Sequence, residues 1–112
     1  MFITSDYGEN LDPVNRQIRI NIRSIYDRLP MSDRQWITIR DTRHFNFSDL
    51  ALLKDRFLFR RFGALGPIDE RRSLAITAEY VHHFFDCYLK NSPDSLIKKK
   101  SSPYPEVKFE TR

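Results

Sequence analysis

Apolar positions recur with two different periods along this 112-residue chain, and the two periods divide it into a short series of elements. Met1-Phe2-Ile3-Thr4 is an apolar, partly β-branched run that reads as a strand. Tyr7 to Pro13 gathers Gly, Asn, Asp and Pro and reads as a loop. Asp12 before Pro13 predicts a helix start, because Asp accepts from the free amides of a first turn and Pro suits the first helical position, where no N–H is needed. Val14, Ile18, Ile22, Ile25 and Leu29 follow at spacings of three and four, the stripe of an amphipathic helix, and Pro30 ends it. Met31 to Arg34 is a short polar connection. Trp36-Ile37-Thr38-Ile39 is aromatic and β-branched and predicts a second strand. Ser48 or Asp49 is placed to cap a short helix through Phe59, and Gly63 to Pro67 is an irregular break. Asp69 caps the longest predicted helix, which runs to Lys90 with a stripe of Leu74, Ala78, Val81, Phe84 or Phe85, and Tyr88.

Strand, helix, strand within forty residues is a βαβ unit, whose strands are parallel with a right-handed crossover. The expected class is therefore α/β: a βαβ unit followed by two C-terminal helices over residues 1–90, then an extended or flexible tail over 91–112. Two parallel strands alone leave two open edges and form a marginal sheet, and a parallel sheet expects cover on both faces. The pattern predicts a piece of a larger sheet, completed by more chain or by self-association.

Composition narrows the partners. With 40% apolar and 13% aromatic residues, nine of them Phe, the chain has the makings of one core, and its length allows one domain. The net charge of +4 comes from bases interleaved with acids, apart from Arg60-Arg61 and Lys98-Lys99-Lys100, so nucleic-acid binding is not expected. One cysteine, Cys87, excludes an internal disulfide, and a cytoplasmic location is the expectation. No run is long enough for a membrane span, and the first residues lack the pattern of a signal peptide.

The candidate chemistry lies in Arg40-Asp41-Thr42-Arg43-His44-Phe45-Asn46-Phe47-Ser48-Asp49-Leu50, where one histidine follows directly on a predicted strand. Reactive groups of open α/β sheets cluster in loops at the carboxyl ends of strands. Read from the residues alone, His44 is more readily a loop histidine bonded to backbone than a catalytic one, since His is common in polar loops. The string Trp36-Ile37-Thr38-Ile39-Arg40, followed by His44-Phe45-Asn46-Phe47-Ser48-Asp49, resembles the C-terminal part of the platelet-activating-factor acetylhydrolase family. These are lipoprotein-associated-phospholipase-like members of the α/β-hydrolase superfamily. Phe2-Ile3-Thr4-Ser5-Asp6 is similar to the strand before their last crossover helix, Arg72 to Lys90 to their closing helix, and Tyr104-Pro105-Glu106-Val107 to the tail of bacterial relatives.

That resemblance implies a partial α/β-hydrolase fold and makes His44 the catalytic base of a Ser…Asp…His triad acting on acyl or phospholipid-like esters. It implies no metal or other cofactor. The nucleophile elbow, G-x-S-x-G, is absent, since none of Gly8, Gly63 and Gly66 frames a serine. The triad acid is either Asp6, after the first strand, or a residue upstream of Met1; Asp12 is better read as a helix cap. Asp41 also stands where the family usually has a small residue. The expected partners are an upstream hydrolase half or a second copy of the chain, and a non-catalytic interaction module pairing through its sheet edge is the alternative.

Two other groups of residues weigh less. His83 and Cys87 share a helix face and have the spacing of two zinc ligands, but packing of Cys87 is the simpler reading. Phe57, Phe59 and Phe62, with Phe45 and Phe47, have the composition of either an acyl pocket or plain core.

Overall fold

The computed structural model describes residues 1–9, 11–92, 95–99 and 101–110. It is a mixed α/β domain with a three-stranded sheet and three α-helices: β1 (Phe2–Ser5), α1 (Pro13–Arg28), β2 (Trp36–Ile39), α2 (Arg56–Arg61), α3 (Glu70–Leu89) and β3 (Val107–Phe109). β1 and β2 are parallel, with Phe2 opposite Trp36 and Ser5 opposite Ile39, as the βαβ pattern predicts. β3 was not legible as a strand. It pairs antiparallel with β2, Ile37 opposite Phe109 and Ile39 opposite Val107, so the sheet is mixed, β2 is its centre, and its open edges belong to β1 and β3.

Alternation along the strands sends two kinds of side chain to the two faces. Ile37 and Ile39 point to one side, where they pack with Val107, with Ile76, Tyr80 and Cys87 of α3, and with Leu96 and Ile97 of a 3₁₀ turn that follows it. This is the apolar core. Trp36 and Thr38 point to the other side, under α1. There the Trp36 ring lies 5.6 Å from that of Tyr26, and the Arg23 guanidinium stacks 4.6 Å over it. Buried polar atoms on this face find partners: Trp36 Nε1 donates to Thr4 Oγ1 at 3.0 Å, Thr38 Oγ1 to Glu110 at 2.8 Å, and Arg19 reaches the same carboxylate at 3.2 Å. The sheet thus has a greasy face and a wired one.

α1 begins as predicted. The Asp12 carboxylate accepts from the amides of Val14 and Asn15 at 2.9 and 3.0 Å, and Pro13 opens the first turn. These bonds, the Asn15 amide first, hold the Asp12 pKa below its ordinary value of 3.8. Because the folded pKa lies below the unfolded one, the cap stabilises the helix above pH 4 or so and is lost as pH falls through the folded value. Acidification should therefore loosen the Val14 and Asn15 amides, read by hydrogen exchange, before α3 responds. Asp12→Asn, which keeps an accepting oxygen, should lose that dependence. Equal loosening in Asp12→Asn would count against the cap as its cause.

α3 is also capped as predicted, Asp69 accepting from the Arg72 amide at 2.9 Å, but its buried face is another one. Glu70, Ser73, Ile76, Tyr80 and Cys87 are buried, whereas of the predicted stripe Ala78, Val81, Phe85 and Tyr88 are exposed, Leu74 is half-buried, and Phe84 is half-buried and packs against the core. The buried face carries polar groups that satisfy themselves: Ser73 Oγ donates to the Glu70 carbonyl and Thr77 Oγ1 to that of Ser73. The helix predicted from Ser48 or Asp49 to Phe59 is two pieces, a 3₁₀ turn at Asp49–Leu52 and α2.

Residues 101–110 are strapped onto α3. Tyr80 Oη donates to Ser102, Tyr104 Oη donates to the Glu79 carboxylate, and Arg72 holds Glu106 through two nitrogens at 2.9 and 3.3 Å. Of the Lys98-Lys99-Lys100 run, Lys98 and Lys99 are exposed and Lys100 lies outside the described residues.

Candidate functional site

β2 ends at Ile39, and the chain turns at once. Asp41 adopts a left-handed conformation with φ of 59°, uncommon for a residue with a side chain. Thr42, wholly buried, ties the turn back by donating its hydroxyl to the Ile39 carbonyl at 2.6 Å. A 3₁₀ turn follows at His44–Phe47. Its fixed point is Asn46, which has no solvent exposure. Asn46 Oδ1 accepts from the Arg43 amide at 2.7 Å and from the Gly66 amide at 2.8 Å.

Gly66 explains how the second loop comes so close. A Cβ built there would stand 1.9 Å from the Asp41 carbonyl oxygen, so only glycine fits this backbone-on-backbone contact. Arg43 completes the scaffold: its guanidinium donates to the Asp6 carbonyl and lies 5.2 Å over the Tyr7 ring. The loop after β1 is thereby tied to the loop after β2.

On this fixed frame the His44 side chain is exposed. Its ring meets Phe45 edge-on at 5.2 Å, and no hydrogen bond to it occurs among the described residues. It lines a cleft of about 350 Å³ shared with Ser5, Tyr7, Ile18, Ile22 and Phe47. Most of its lining is apolar, and His44, Ser5 and Tyr7 are among its polar groups. An imidazole so placed is able to accept or donate a proton to a group entering the cleft.

The other sequence candidates are not assembled around it. The Asp6 carboxylate turns back to the Gly8 amide at 3.0 Å, and Asp12 caps α1. Of the phenylalanines, Phe47 shares the cleft, Phe45 covers the His44 edge, and Phe57 and Phe62 are largely exposed, so they do not form one acyl pocket. Cys87 lies in the core, while His83 stands 3.9 Å from Glu79. Among the described residues no cluster of His, Cys, Asp or Glu has a metal-holding arrangement. No helix among them is long and apolar enough to cross a membrane. Sequence reasoning missed Asn46 and Gly66, the two positioning residues; their only signals were an asparagine two places after the histidine and a glycine inside an irregular break.

No protein-family model, curated protein or solved structure matches this chain.

Proposed function

We propose that residues 1–112 form the histidine-bearing part of a serine ester hydrolase site, with His44 as general base and the serine supplied from outside these residues. The observation that supports the reading is the unbonded imidazole on a pinned loop at the carboxyl end of the central strand of a mixed sheet, lining a largely apolar cleft. The backbone is pinned while the ring is left unbonded, an arrangement that serves a proton-transfer group better than a structural histidine. His44 would take the proton of a serine hydroxyl as it attacks an acyl ester, then return it to the leaving alcohol. The acid that orients the ring would come from the same missing part, since Asp6 is engaged with its own loop.

The purified 112-residue chain should show no turnover of activated acyl esters above that of His44→Ala, and a fluorophosphonate should leave it unlabelled. Combined with the polypeptide carrying the elbow serine, it should support hydrolysis that His44→Ala lowers by several orders of magnitude. Phosphonate label recovered on Ser5, the hydroxyl that shares the cleft, would overturn the division of labour. The second reading, a non-catalytic association module, is favoured by one specific feature, the unpaired edge of β1.

A further inference from the structure

The cleft beside His44 has a second character. Phe2 N donates to the Gln35 carbonyl at 2.7 Å, so the amides and carbonyls of Phe2 and Thr4 face β2. By alternation, those of Ile3 and Ser5 face outward, and no described group pairs with them. Ile3, Thr4 and Ser5 all line the cleft, whose floor is therefore the open edge of β1. Its roof is α1. Ile18 and Ile22 overhang the edge, and they belong to the stripe in which Val14, Ile18 and Ile25 are 68%, 49% and 54% exposed. At roughly 100° per residue, the stripe lies about a quarter-turn from Asn15, Arg19, Arg23 and Tyr26, which face the sheet. It looks sideways, over the strand edge.

We propose that this edge and stripe together bind a second copy of the chain, β1 pairing antiparallel with its partner's β1 about a twofold axis at Thr4 to make a six-stranded sheet. The proposal rests on the association reading, not on hydrolysis. An occupant has to offer both an unpaired strand and an apolar helix face; a short extended peptide offers only the first, and a second copy offers both.

The registers agree. With the axis at Thr4, Ile3 of one copy meets Ser5 of the other, the two outward-facing residues on each strand. Arg19 reaches Glu110, which Thr38 also bonds, and Thr38 sits opposite Thr4, so the axis passes beside α1 at the level of Arg19 and Ile20. Val14 then faces Ile25 of the other copy and Ile18 faces Ile22, apolar against apolar along the whole stripe. Charge fits as well. Arg28, which has no ion-pair partner among the described residues, comes opposite the exposed carboxylate of Asp12, and the helix dipoles run antiparallel. Apart from Arg28, the solvent-side border of the stripe is formed by the uncharged Gln17, Asn21 and Ser24, so two copies meet there without like-charge repulsion. The interface is isologous and closes on itself.

Light scattering on the eluting chain tests this. Wild type should run at twice the mass of one chain, with the Ile3 and Ser5 amides slow to exchange at high concentration and fast on dilution. Ile18→Glu should be a folded monomer, its fold checked by Trp36 fluorescence. Ile20→Glu, on the far face of α1 and slightly more exposed at 54% against 49% for Ile18, should stay dimeric, as should His44→Ala, which separates this proposal from the hydrolase reading. Arg28→Glu should weaken the dimer. A monomeric wild type, or an Ile20→Glu variant as disruptive as Ile18→Glu, would overturn the proposal.

Discussion

Gly66→Ala should unfold the chain or cost it about 3 kcal/mol or more, the upper end for forcing atoms into a packed site. The added methyl would meet three backbone atoms, the carbonyl oxygen and carbon of Asp41 and the Thr42 Cα, at 1.9, 2.6 and 2.9 Å. No side chain can swing aside to make room. The contact can be relieved only by moving the Asp41 turn, and that turn is fixed by a left-handed residue and by the buried Thr42 hydroxyl. Moving it also breaks the Gly66 amide bond to Asn46, leaving a buried amide without its partner, a cost of the order of 1–3 kcal/mol. Urea unfolding followed by Trp36 fluorescence measures the loss. A Gly66→Ala variant as stable as wild type would mean that the two loops do not touch in this way.

The second large effect separates placement from support. Ile39 is wholly buried and packs in the core one residue before the turn, whereas His44 is exposed and unbonded. Ile39→Ala removes buried methyl groups from a close-packed cluster and should cost about 2–5 kcal/mol. His44→Ala removes an exposed, unbonded ring that meets Phe45 edge-on and should change stability by no more than about 0.5 kcal/mol. The same unfolding measurement on both variants gives the comparison. If His44→Ala destabilised the protein as much as Ile39→Ala, the ring would be holding the loop, and the proposed proton-transfer role would lose its support.

The parts of this fold that could be read in advance are those whose signals are local. Asp12-Pro13 and Asp69 mark helix starts because a capping carboxylate and its target amides lie within three residues of each other. Trp36 to Ile39 is visible because four strand-forming residues stand together. The α3 face was misread for a physical reason: its buried side includes Ser73, Thr77 and Glu70, which are polar but satisfied, while Val81, Phe85 and Leu89 are apolar yet exposed. Hydropathy ranks the second set higher. β3 is three residues with a lysine in the middle, and only its pairing with a strand 72 positions away makes it a strand at all. At the site, the histidine was legible and its scaffold was not, since the role of Asn46 depends on a glycine 20 residues later.

The central position of β2 bears on how the chain folds. Its two neighbours come from opposite directions in sequence, at the level of Thr38 from Thr4, 34 residues before it, and from Lys108, 70 residues after it. Closing loops of such length is an entropic cost met before any strand pairing repays it, and non-local pairing of this kind slows folding. Helical signal from α1 and α3 should therefore rise well ahead of Trp36 burial in a stopped-flow refolding experiment. During that lag β2, the most apolar strand, has both edges bare, and aggregation competes with folding most strongly then.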